Sequence, residues 1–136
     1  MVEMELKKIV IDENRHEQLI VLKEKNGERV LPIVIGLNEI AAIKAKIAGV
    51  NPPRPITHDL LYSVIKTLDA EVERIVIDKL ENNIFYAKII FKTKSGETKI
   101  ADARPSDSIA LCVRAHAPIC VDESVLKQMG TFNKEK

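Results

Sequence analysis

Ile9-Val10-Ile11-Asp12 returns letter for letter as Ile75-Val76-Ile77-Asp78, and this recurrence restricts the folds open to the chain more than any other feature. Asn26-Gly27-Glu28 is echoed by Ser95-Gly96-Glu97, and Asn38-Glu39 by Ser106-Asp107, at offsets of 66, 69 and 68 residues. One four-letter match arises easily by chance. Ordered matches at nearly one spacing predict an internal duplication.

The first copy reads as a β-β-β-α-α unit. Residues 4–12 and 18–24 are β-branched and apolar, and Glu13-Asn14-Arg15-His16 separates them as a turn. Asn26-Gly27 marks a tight turn before a third strand, Arg29 to Ile35. Gly36-Leu37-Asn38 then offers a breaker and a cap, after which Ile40, Ile43 and Ile47 recur at helical spacing until Gly49. Pro52, Pro53 and Pro55 stiffen a connector that holds Arg54. Thr57 is placed to cap a second helix with an apolar stripe of Leu60, Leu61, Val64, Ile65 and Leu68.

The same order restarts at residue 70. Phe85, Ala87, Ile89 and Phe91 alternate with Tyr86, Lys88 and Lys92 as a half-buried strand, and Glu97 to Ala101 supplies the third. A helix begins near Ser106-Asp107, and Pro118 and Asp122 introduce another at Ser124 to Met129. Neither copy can bury a face alone. The expectation is an α+β fold in which two units, residues 4–69 and 70–129, pack as a single compact domain spanning 1–129, with 130–136 as a frayed tail.

With 136 residues, 46% apolar but only 4% aromatic, the core must be aliphatic, and it needs no metal or disulfide to hold it. A formal charge of +1 excludes a global basic field, so any contact with a polyanion must be local. Cys112 and Cys120 lie in apolar runs without Cys-x-x-Cys spacing, the pattern of buried reduced thiols, which predicts a cytoplasmic location. The N-terminus has no signal-peptide core and no apolar run nears the ~20 residues that span a bilayer, so neither secretion nor insertion is expected.

Two polar stretches stand apart from this scaffold. Asp102-Ala103-Arg104-Pro105-Ser106-Asp107-Ser108 sets two acids, an arginine and two serines between a strand and a helix, and Pro52 to Asp59 sets Arg54 and His58 just before another helix. Structural roles exist for most of these groups. Asn38 and Ser106 suit helix caps, Glu39, Asp59 and Asp107 complement helix dipoles, and an Asp102–Arg104 bridge could organise the loop. His58 is the awkward one, because a cationic imidazole is disfavoured at a helix N-terminus and a neutral one serves better as donor, general base or ligand. His16 and His116 read as ordinary surface or packing residues.

On the chemical reading, Glu39, Asp102 and Asp107 supply oxygen ligands for Mg²⁺ or Mn²⁺, while His58, Asp59, Asp102 and Asp107 are the candidate catalytic groups. Arg54, Arg104 and Ser106 would hold phosphate. No Walker loop, Gly-x-Gly-x-x-Gly, Gly-x-Ser-x-Gly or His-Glu-x-x-His occurs, which weighs against nucleotide hydrolases, Rossmann enzymes, serine hydrolases and zincins.

Three runs together carry a resemblance: Leu31-Pro32-Ile33-Val34-Ile35-Gly36 with Glu39, Pro53-Arg54-Pro55-Ile56-Thr57-His58-Asp59-Leu60-Leu61, and Asp102 through Leu111. Over roughly Met4 to Leu126 the chain resembles the bifunctional nuclease domain family of bacteria, archaea and plants. The resemblance implies a compact α+β homodimer that cuts RNA and DNA, the activity ascribed to plant members. Some bacterial relatives carry a C-terminal UvrB/UvrC-type motif, for which this chain is expected to end too soon. A divalent-metal-assisted nuclease is the first hypothesis. The competitor is a non-catalytic dimeric binding or regulatory module that recognises a small anion or a protein partner, favoured by the near-zero charge and the scarcity of aromatics for base stacking.

Overall fold

The computed structural model describes residues 1–12, 14 and 17–132. Glu13, Arg15 and His16 of the expected first turn, and 133–136 of the expected tail, lie outside the described residues. The elements run β1 (Val2–Asp12), β2 (Glu17–Glu24), β3 (Arg29–Ile35), α1 (Leu37–Ile47), α2 (Thr57–Thr67), β4 (Glu71–Glu81), β5 (Ile84–Lys92), β6 (Thr98–Ala103), α3 (Pro105–Ala115), β7 (Ile119–Val121), α4 (Glu123–Met129) and β8 (Thr131–Phe132). One eight-stranded sheet has the order β6-β5-β4-β7-β1-β2-β3-β8, making a mixed α+β domain as expected.

Each half contributes an antiparallel three-strand meander, and β7 lies between them. Val2, Glu3 and Met4 of β1 pair antiparallel with Val121, Cys120 and Ile119, while Ile75, Val76 and Ile77 of β4 pair parallel with Ile119, Cys120 and Val121. A three-residue strand is too short for alternation to reveal. Sequence reading therefore passes from α3 to the last helix without a strand, and the second half differs from β-β-β-α-α by this insertion. The tail likewise begins with strand pairing, Thr131 against Val30 and Phe132 against Arg29.

The helices pack on one face of the sheet. Ile20, Leu22 and Leu31 from the first meander and Ile75, Ile77 and Ala87 from the second are sealed from solvent in one core with α3, whose Ile109, Ala110 and Leu111 are also fully buried. A helix apolar on most of its circumference belongs at the centre of such a layer. On the opposite face Val76, Ile90 and Cys120 form only a small buried cluster.

The repeated tetrapeptide meets two environments. Ile9 pairs with Ile20 and Ile75 with Ile89, so the pairing relation is the same in both meanders. Yet Ile77 is buried while Ile11 is 45% exposed, because β4 has β5 and β7 on its two sides at this level and β7 meets β1 only at residues 2–4. Identical letters therefore carry unequal weight.

Three expected caps shift by one or two residues. The N-caps are Gly36, Ile56 and Arg104 instead of Asn38, Thr57 and Ser106. Pro105 explains the third: its fixed φ and absent N–H suit the first helical position, which draws Ser106 inside the first turn. The apolar α2 stripe is mostly uncovered. Only Ile65 is buried, whereas Leu60, Val64 and Leu68 face outward at 56%, 46% and 73% exposure.

Ile77→Ala is expected to cost about 2–5 kcal/mol, since a sealed site cannot collapse around the lost carbons, whereas Ile11→Ala should cost well under that. Urea unfolding of the two variants, with unchanged slopes, checks the inequality.

Candidate functional site

The shifted caps place Glu39, Asp59 and Asp107 each at the third position of its helix. Acids there complement the positive helix end, and Asp59 also accepts a hydrogen bond from the Ile56 backbone N–H at 3.2 Å. α1 and α2 both pack against α3.

Arg104 joins two of the acids. Its Nη2 lies 2.9 Å from Glu39 Oε1, and its Nε donates to Asp107 Oδ2 at 2.9 Å. The other Asp107 oxygen meets His58 Nε2, also at 2.9 Å. A continuous chain of polar contacts, Glu39–Arg104–Asp107–His58, thus links α1, α3 and α2. Its members differ sharply in access: the Arg104 side chain is 65% exposed, Glu39 14% and His58 12%. Burial pushes the Asp107 carboxyl up, but hydrogen bonds from Arg104 and His58 outweigh it and hold the group below its ordinary value. Asp107 in turn raises Arg104.

Asp59 serves a different partner. Arg114 Nε donates to Asp59 Oδ1 at 2.7 Å, Nη1 donates to the Ala110 carbonyl at 2.7 Å and Nη2 to the Ala42 carbonyl at 3.3 Å. This guanidinium is almost wholly buried and ties α1, α2 and α3 together. The signal for it is legible in hindsight: a lone charge in the apolar run Ile109-Ala110-Leu111-Cys112-Val113, seven residues and therefore two turns beyond Asp107.

The remaining predicted residues do not join the network. Asp102 is 79% exposed and rests 3.8 Å from Lys88, its cross-strand neighbour on β6–β5, with Asp78 also 3.3 Å from the same ammonium. The Asp102–Arg104 bridge does not form, because Arg104 sits in the turn into α3 and points to Glu39 and Asp107. Arg54 is exposed in the connector and makes no ion pair among the described residues. Ser106 is buried and lines, with Glu39 and Arg104, the end of a cleft of about 610 Å³ whose walls are mainly apolar, including Ile33, Ile35 and Phe85.

Among the described residues no group of three or more His, Cys, Asp or Glu is placed to hold a metal ion. Of the expected ligands, Glu39 and Asp107 meet on one guanidinium and Asp102 lies elsewhere. The arrangement offers an exposed cation over two acids and an imidazole oriented by a carboxylate, parts suited to anion binding and proton transfer. Cys112 offers neither: burial pushes its thiol up to about 12, leaving it inert.

Two stability effects follow from the Asp59–Arg114 pair. Arg114→Met, which strands Asp59, should cost roughly 3–5 kcal/mol. The Arg114 hydrogen bond holds the Asp59 carboxyl below its ordinary value. The stability this gives is complete above the ordinary Asp range and drains as pH falls through the lowered folded value. Asp59→Asn should therefore flatten the acid-side loss, read as unfolding midpoints from neutral to acidic pH.

Residues 20–134 match the family described as the bifunctional nuclease domain. An uncharacterized protein of Mycobacterium tuberculosis is 42% identical over 122 residues, covering 90% of this chain and 72% of that protein. Bifunctional nuclease 2 of Oryza sativa subsp. japonica is 32% identical over 129 residues, 92% of this chain and 39% of the plant protein. For bifunctional nuclease 1 of Arabidopsis thaliana the identity is 29% over 108 residues, 76% of this chain and 33% of that protein. With the match spanning most of its length, the chain belongs to the bifunctional nuclease domain family.

Proposed function

We propose that the protein hydrolyses phosphodiester bonds in RNA and DNA at the surface where Arg104 covers Asp107 and His58. The observation that carries this reading is the His58–Asp107 contact beside an exposed arginine: Asp107 orients the imidazole, and Arg104 is free at its outer face to meet a phosphate. His58 takes the proton of the attacking hydroxyl or water. Arg104, with Arg54 brought in from the exposed connector, neutralises the phosphate oxygens, and Ser106 borders the adjoining cleft. Asp59 stays with Arg114 and holds α2 in place. Among the described residues Glu39 and Asp107 face Arg104 rather than a common metal position, so no step is assigned to Mg²⁺ or Mn²⁺. Names of plant relatives as bifunctional nucleases support the substrate class.

Three further parts of the reading rest on the fold. The outward Leu60, Val64 and Leu68 of α2 suit a homodimer that covers them, so a charge at Val64 should shift the protein to monomer in sedimentation. The matched pairing of Ile9 with Ile20 and Ile75 with Ile89 supports descent of the two meanders from a duplicated unit. Free, buried Cys112 and Cys120 suit a reducing cytoplasm.

A second reading, a non-catalytic module that binds a small anion or a protein, is favoured by one observation: Arg104 is already satisfied by two acids, so an incoming phosphate must displace one of them. Cleavage of labelled single-stranded RNA and DNA with Mg²⁺, Mn²⁺ or EDTA separates the two. His58→Ala and Asp107→Asn should each lower kcat by roughly 10²–10⁴-fold while folding survives, and Asp102→Ala should leave it unchanged. No cleavage, or equal cleavage by wild type and both site variants, would establish the binding module instead.

A further inference from the structure

At the other end of α2 from His58, a second cleft of about 790 Å³ opens between that helix, the start of β4 and the β5–β6 turn. Lys66, Lys92 and Lys94 line it together with Tyr62, Asp69 and Glu71. The placement of the lysines is built in. Lys66 Nζ stands 4.6 Å from the centroid of the Tyr62 ring, a cation–π contact that keeps the ammonium at the cleft wall. The turn carrying Lys94 is braced by the Thr93 N–H donating to the Glu97 carbonyl and the Gly96 N–H donating to the Thr93 carbonyl, both at 2.9 Å. Glycine is needed there, at φ +89°.

These lysines contrast with four others on the surface. Lys25, Lys79, Lys88 and Lys99 each rest against a carboxylate. Lys66, Lys92 and Lys94 make no ion pair among the described residues, although Asp69 and Glu71 line the same cleft and Glu71 is the cross-strand partner of Lys92. Against Asp69 and Glu71, the three ammonium groups leave the cleft lining with a formal excess of one positive charge, and none of the three is tied up in an ion pair among the described residues. The volume falls in the range of sites for nucleotide-sized ligands and far exceeds one phosphate.

We propose that this cleft is a backbone subsite for single-stranded nucleic acid, in which Lys66, Lys92 and Lys94 hold phosphates of the strand whose scissile bond lies at Arg104. The inference rests on the hydrolase reading for its ligand and adds where the rest of the strand goes. Helix geometry sets the span: His58 and Lys66 are eight residues apart on α2, about 12 Å along its axis. Only a strand that continues past the reacting phosphodiester reaches both.

The test is binding of fluorescein-labelled oligouridylate, followed by anisotropy across a salt series, in a His58→Ala background that leaves the strand uncut. The variant Lys66→Gln/Lys92→Gln/Lys94→Gln should bind about tenfold more weakly, and the slope of log affinity against log salt should become shallower by about 2, since three single-strand phosphate contacts are lost. Lys66→Arg/Lys92→Arg/Lys94→Arg, which keeps the charge, should bind as the parent does. Lys79→Gln/Lys99→Gln, which removes acid-paired lysines outside the cleft, should change nothing. Unchanged affinity and slope in the glutamine variant, or no binding by the parent, overturns the proposal. Cleavage by wild-type protein is scored separately. A lysine-dependent affinity without cleavage would sink the hydrolase and leave the subsite standing, and cleavage with lysine-independent affinity would do the reverse.

Discussion

Everything in this fold depends on the three residues of β7. Ile119, Cys120 and Val121 pair with β1 on one side and β4 on the other, turning two meanders into one sheet. Without them β1 and β4 would both be edges with unpaired backbone groups. The flanking backbone locks the seam: the Ile75 N–H donates to the Pro118 carbonyl and the Asp122 N–H to the Ile77 carbonyl. Above the joined sheet lies α3, buried along most of its length, and its first turn carries Arg104 and Asp107 to the surface. The position of the polar network is thus set by strands that contribute no residue to it.

Much of the fold was readable because its cause is local. Alternation in β5, the Asn26-Gly27 and Ser95-Gly96 turns and the helical spacing of α1 are consequences of neighbouring residues, and the elements appear where those patterns stand. The strand β7 escaped because three residues cannot display a period. The α2 stripe reads as apolar in the sequence and is largely uncovered in the fold, since periodicity shows that a face exists and not which neighbour covers it.

The site was legible in its residue types and less so in its connections. His58, Arg104, Asp107 and Glu39 converge as a polar cluster, but Asp102, five positions before Asp107, points to Lys88 on another face. Nearness in sequence across a strand-to-helix junction does not survive the change of direction there. Arg114 was missed for the opposite reason: it is distant in sequence from Asp59 and sits in an apolar run that reads as core.

Arg104 and Arg114 show how burial divides labour between identical side chains on one helix. Arg114 has all its reach taken up by Asp59 and two helix carbonyls, deep enough that any rearrangement would strand charge in the interior. It can only hold the helices together. Arg104 makes ion pairs of similar length, but its own side chain is 65% exposed, so solvent reaches the guanidinium from outside while Glu39 stays largely buried. The Arg114 junction beneath holds α2 against α3, and with it the His58–Asp107 contact. The two arginines thus divide the helix: Arg114 fixes the three helices beneath, and Arg104 holds the polar cluster at its exposed end.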